Sequence, residues 1–166
     1  MIGDFTENAR RIAELLIERG EKIAVADGAT GGLISAALLT VPGALRFHTG
    51  GGVVYSLHGR GVLLGLAREA FREMESATPD YALLQARAIA TQFKADWGIA
   101  ETGSAGGSGS RHPMGVASGV SCAAVAGPGI ERTRRIGTTS DDRLENMLAF
   151  TRNALELLEE TLVEAG

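Results

Sequence analysis

One cysteine in 166 residues leaves no internal disulfide to form, and Cys122 on its own fits a reducing compartment. Aromatic side chains are 5% of the chain, too few for an aromatic-rich binding face. Positive charge is in deficit: 16 Lys and Arg against 20 Asp and Glu give a net charge of −4, which argues against a nucleic-acid partner held by a basic surface. Unbroken apolar runs are missing as well. The two longest uncharged stretches, Gly28–Leu45 and His112–Ile130, approach the length of a membrane span, but glycines and prolines interrupt both. Such punctuation suits buried strands and tight turns better than a lipid-exposed helix. The opening MIGDFTENARRIAELL carries charges where a secretory leader needs an apolar run, so the expectation is a soluble, cytoplasmic protein with no membrane partner. His48, His58 and His112 share no helical spacing and have no cysteine nearby; no metal site is expected, and no cofactor.

What is present is enough for one core. With 45% hydrophobic and 22% charged residues, a chain of this length reads as a single domain over residues 1–166. Glycine, at 23 residues, points to close backbone packing and many special turns. Asp4 and Glu7 predict a capping box for a first helix ended by Gly20. Lys22–Ala26 predicts a strand, and Leu33–Leu39 a small-residue helix stopped by Pro42-Gly43. Phe47–Ser56 reads as a turn of three glycines, then a strand. Short helices follow near Val62–Leu64 and over Arg68–Met74. Pro79 sits as the first residue of a helix through Phe93. Trp97–Thr102 and Val116–Ala126 predict buried strands, and Pro128-Gly129 turns into an edge strand, Ile130–Ile136. Ser140 is placed as the cap of a last helix. Together these predict an α/β fold with a mixed sheet.

Three glycine-rich segments follow strands: Asp27–Gly32, Gly50–Gly52 and Gly103–Gly109. Strand-end loops are where open α/β sheets bind ligands, and their backbone N–H groups suit anions. Neither the Walker nor the dinucleotide pattern is present. Cys122, inside an apolar strand without an adjacent His or Lys, reads as an inert thiol.

The order Ala26-Asp-Gly-Ala-Thr-Gly-Gly32, Gly51-Gly-Val-Val-Tyr-Ser56, Leu63-Leu-Gly65, Thr102-Gly-Ser-Ala-Gly106 and Pro113-Met-Gly-Val116 resembles the C-terminal domain of CinA, a competence/damage-inducible protein family. Its active members are nicotinamide-nucleotide amidases, which convert nicotinamide mononucleotide to nicotinate mononucleotide and ammonia. The resemblance covers almost the whole chain. It implies a three-layer α/β/α sandwich with a mixed sheet, a homo-oligomer and no metal. The family's first motif reads Ala-Glu-Ser-Cys-Thr-Gly-Gly; here Asp27 replaces the Glu, Gly28 the nucleophilic Ser and Ala29 the Cys, while Thr30, Gly31 and Gly32 match. In the second motif Tyr55 and Ser56 match, but the family's Lys falls on Arg60. Thr102 and Arg143 match the family's Thr and Arg.

The resemblance therefore implies catalytic-equivalent positions at Tyr55, Arg60 and Thr102. The ligand-binding positions are Asp27, Gly28, Thr30, Gly31, Gly32, Ser56, Gly103, Ser104, Gly106 and Arg143. Covalent amide hydrolysis needs a nucleophile and a base; Gly28 has no side chain, and an Arg is no base near neutrality. The expectation is a pseudoenzyme that keeps a pocket for a mononucleotide-like ligand. Two alternatives stand beside it: a hydrolase of altered mechanism or substrate using Asp27, Ser56 or Ser104, and a structural subunit of an oligomer. If only the reacting groups were lost, Gly28→Ser with Arg60→Lys should restore activity.

Overall fold

Every residue of Ile23–Asp27 (β1) is buried, as befits a strand covered on both faces, and the sheet is built around it. The computed structural model describes residues 1–107 and 116–166. In it β1 lies between β2 (His48–Val53) and β3 (Trp97–Ser104), parallel to both. β4 (Val120–Gly127) and β5 (Ile130–Gly137) then run antiparallel, giving the order β2-β1-β3-β4-β5. The parallel pairs place the ends of β1, β2 and β3 at one edge of the sheet, and their following loops meet there.

Strand alternation divides the core. On one face, Ile23, Val25, Ile99 and Val125 pack with Ile12 and Leu16 of α1 (Thr6–Arg19), Ile34 and Leu38 of α2 (Leu33–Leu39), and Leu155 and Leu158 of α5 (Arg143–Ala165). On the other, Ala24, Ala26, Ala100, Cys122 and Ala124 pack with Leu64 of α3 (Leu57–Leu64) and Tyr81, Ala86 and Ile89 of α4 (Pro79–Phe93). Small strand residues on that face let α4 lie close to the sheet. The result is the expected three-layer α/β/α sandwich with a mixed sheet. No helix among the described residues is long and apolar enough to cross a membrane.

Several local expectations change. Gly50–Gly52 belong to β2 rather than to a turn before it. A Cβ at Gly50 or Gly52 would press on Phe93 or Leu63, and one at Gly51 on the Val25 carbonyl, so the glycines serve close approach. α1 starts at Thr6, after a 3-10 turn over Ile2–Phe5, and Asp4 pairs with the Met1 ammonium at the start of that turn instead of capping α1. α3 runs from Leu57 with Ser56 as its cap, and Arg68–Phe71 is a single 3-10 turn. α5 is capped by Asp142, whose side chain accepts from the Glu145 N–H; Ser140 lies before it and accepts from the Asp142 N–H. β4 begins at Val120, not Val116. His112, Gly109 and the Pro113-Met-Gly segment lie outside the described residues. β5 is the expected edge strand, and its Arg132 and Arg134 pair with Glu164 and Glu160 of α5.

Candidate functional site

The site begins where β1 ends. α2 has a weak start: its cap, Gly32, sits at φ 97° and has no side chain to offer. Asp27 takes over from the strand. Its Oδ1 accepts from the Thr30 hydroxyl at 2.7 Å and the Ile34 N–H at 3.0 Å; its Oδ2 accepts from the Ser35 hydroxyl at 2.8 Å and the Ser35 N–H at 3.2 Å. A buried carboxylate at a helix N-terminus is favoured by the dipole and by charge-assisted hydrogen bonds. Both oxygens are committed, which argues against Asp27 as a base for water. The α2 N–H groups expected to face an anion are also used internally.

Beneath the same loop lies Glu101, in the middle of β3 and fully buried. Its Oε2 accepts from the Thr30 N–H at 2.9 Å and its Oε1 from the Ser121 hydroxyl at 2.7 Å. Desolvation pushes its carboxyl up to about 7, against the two hydrogen bonds. Sequence reasoning missed Glu101 and Ser121. The signal was there: a lone charge inside Trp97–Thr102, otherwise a buried strand. Because the folded state holds this proton above the unfolded value of 4.5, its stabilising contribution is complete below pH 4.5 and is lost as pH rises through 7. Glu101→Gln should remove that dependence. Relative to the wild type it should gain roughly 3 kcal/mol between pH 4.5 and pH 8, read by denaturant melts at both pH values.

Gly28 rests directly on β3. A Cβ there would collide with the Glu101 carbonyl oxygen and lie 3.2 Å from Glu101 Oε2. Its backbone angle is not in the left-handed region, so the obstacle to a side chain is space, not dihedral strain. Arg60 is buried and committed elsewhere. Its Nε donates to the Val54 carbonyl at 3.0 Å, one Nη donates to the Tyr81 hydroxyl at 2.5 Å, and the guanidinium lies 5.0 Å from the Tyr81 ring centre. These contacts fasten α3 to α4.

Thr102 is buried, and its Oγ1 accepts from the Ala77 N–H at 3.2 Å. Its register partner Cys122 donates to the Ala77 carbonyl at 3.2 Å. Between them they hold a residue with φ 54° just before α4. Burial pushes the Cys122 thiol up to about 11, in keeping with an inert group. Ser56 caps α3 by accepting from the Gly59 N–H at 3.0 Å. The Ser104 carbonyl accepts from the Gly119 N–H, and Gly103 packs against Glu101 and Ser121.

Where the parallel strands end, three of the expected residues meet. Arg143, at the start of α5, donates to the Gly106 carbonyl at 2.9 Å and to the Tyr55 hydroxyl at 2.7 Å. Tyr55 is 58% exposed, and the Gly107 N–H is held by Asp141 at 3.0 Å. One guanidinium thus ties the ends of β2 and β3 to α5, and among the described residues it has donors to spare. Gly31, at φ 65°, leaves room for Met147 of α5 beneath the loop. No cluster of His, Cys, Asp and Glu suited to a metal occurs among the described residues. A surface groove of about 410 Å³ lies along α3, lined by Leu57, His58, Gly61, Val62 and Arg68; it contains none of the expected site residues.

The family model for the CinA C-terminal domain matches residues 5–162. A CinA-like protein of Desulforapulum autotrophicum is 29% identical over 157 residues, 95% of this chain and 37% of that protein. Another, from Thermosynechococcus vestitus, is 31% identical over 156 residues, 92% of this chain and 36% of that one. The chain thus spans little more than a third of the length of these curated relatives. Among solved structures, a CinA superfamily protein from Klebsiella pneumoniae superposes with a TM-score of 0.86 at 27% identity, covering 96% of this chain and 98% of the other. A competence/damage inducible protein from Agrobacterium tumefaciens gives 0.85 at 28%, covering 95% of each.

Proposed function

This chain belongs to the CinA C-terminal domain family, and from that premise we propose that it binds a mononucleotide-like ligand without hydrolysing nicotinamide mononucleotide. The binding half is carried by one observation: Arg143 joins Tyr55 and Gly106 across the edge where β1, β2 and β3 end. Its N–H groups that no described residue engages offer a phosphate the planar donors that suit it, beside the half-exposed Tyr55 ring. The missing hydrolysis is supported by Gly28, packed on the Glu101 carbonyl, and by Arg60, which keeps a charge but is bound to Val54 and Tyr81. The alternative hydrolase reading gains nothing from Asp27, whose oxygens are occupied, or from Ser56, which caps α3. The protein on this reading is one cytoplasmic domain over residues 1–166 and a homo-oligomer.

Nicotinamide mononucleotide should raise the melting temperature, with no ammonia released above buffer. A ligand at 100 times its Kd adds about 2.7 kcal/mol to stability. Arg143→Ala should abolish the shift, and Tyr55→Phe should weaken it. Enzymatic turnover of ammonia would sink the pseudoenzyme reading; no shift with any mononucleotide at millimolar concentration would sink the binding reading.

A further inference from the structure

Two carboxylates lie under one loop, and both are fully buried: Asp27 from β1 and Glu101 from β3. Thr30 joins them, giving its hydroxyl to Asp27 at 2.7 Å and its N–H to Glu101 at 2.9 Å. Among the described residues neither forms an ion pair. Two uncompensated buried charges this close favour holding one proton between them. Asp27 accepts four hydrogen bonds, two of them from the α2 backbone, whereas Glu101 accepts two. The proton therefore belongs to Glu101. Ser121 suits both states: its hydroxyl donates to the carboxylate, and by rotating it accepts from the carboxyl. The Thr30 N–H bonds either form, so the charge changes without rearranging the loop.

We propose that anion binding at this site is coupled to protonation of Glu101, with Ser121 as the hydroxyl that serves both states of the carboxyl. The inference rests on the mononucleotide reading above. A phosphate held near Arg143 and the loop would face two negative charges through low-dielectric protein, and proton uptake removes one of them. The surroundings leave Glu101 as the group that responds. Asp27 is the acidic group of β1, α2 carries no titratable residue, and on β2 the buried His48, which feels the Asp27 charge, is held toward its neutral form by desolvation. From α5, Met147 and Phe150 cover the loop, and Arg143 is tied to Tyr55 and Gly106. On β5, Arg134 is register partner to Ala123 and paired with Glu160. Cys122, with Arg135 as its register partner, lies on the opposite face of β4. Burial holds the Glu101 carboxyl at about 7, where a neutral buffer populates both forms.

The test is calorimetric titration of nicotinamide mononucleotide into the whole chain at pH 6, 7 and 8, in buffers of different ionisation enthalpy. The phosphate of the probe titrates with either protein, so the readout is the difference between wild type and Glu101→Gln. Wild-type affinity should fall about tenfold more than that of the variant between pH 6 and pH 8, with extra proton uptake that rises across that range and is largest at pH 8. Ser121→Ala, which removes a hydrogen bond that is stronger to the carboxylate than to the carboxyl, should move the transition to higher pH. In the free protein the Glu101 carbon resonance should titrate near neutrality. A midpoint in the ordinary carboxylate range overturns the proposal. So does equal proton uptake by wild type and Glu101→Gln, which leaves the mononucleotide reading standing. Absence of binding to both proteins at every pH overturns that reading and the linkage with it.

Discussion

Gly28→Ser, alone or with Arg60→Lys, is expected to give no amidase turnover and to cost roughly 2–4 kcal/mol of stability. For the double variant the motif comparison predicts the opposite, because it treats position 28 as an empty place for a nucleophile. In the fold that place is taken: the new Cβ collides with the Glu101 carbonyl oxygen, a backbone atom of a strand paired on both sides. The loop must lift, which strains the Asp27 and Glu101 hydrogen bonds that fix Thr30. Arg60→Lys adds its own cost, since a lysine has no planar fork to serve the Val54 carbonyl and the Tyr81 hydroxyl together. The measurements are ammonia release from nicotinamide mononucleotide and denaturant melts for both single variants and the double variant. A stable double variant that turns over would show that the loop yields easily and that packing is not what closed the site.

Asp27→Ala should be worse for the fold, by about 3–5 kcal/mol. Two hydroxyls and two backbone N–H groups lose their acceptor at once, and buried donors without partners cost the most. Asp27→Asn should fall between wild type and Ala. Its one oxygen can serve the Thr30 hydroxyl and the Ile34 N–H, but its amide then points a donor at the Ser35 N–H. Denaturant melts give the ranking, and amide exchange at Ile34 and Ser35 should accelerate in the same order. If Asp27→Ala melts with the wild type, the strand carboxylate is not what holds the start of α2.

The α/β class with a mixed sheet was legible in the residues because its signals are local. Pro79 at the first helical position after the Thr78 cap marks α4 with the bounds seen, and the apolar runs mark β1, β3 and β4 on periodicity and length alone. Position by position, the motif comparison also named Tyr55, Gly106 and Arg143, which the fold brings together. The order β2-β1-β3-β4-β5 and the site's internal chemistry were not legible, for they depend on which side chains meet across strands. Gly50–Gly52 read as a turn until Val25, Leu63 and Phe93 are seen to need the space. Arg60 read as a site residue until Tyr81, 21 positions away, takes its guanidinium. Asp27 stood among the alternative hydrolytic groups until Ile34 and Ser35 come within reach of its oxygens. Glu101 is the clearest case: in sequence it is one acidic residue in an apolar run, and only the packing of β3 between β1 and β4 buries it with Thr30 and Ser121. Desolvation and hydrogen bonding act through space, so the protonation of this carboxyl is decided by tertiary structure, whereas a helix or a strand is announced by the period of its own residues.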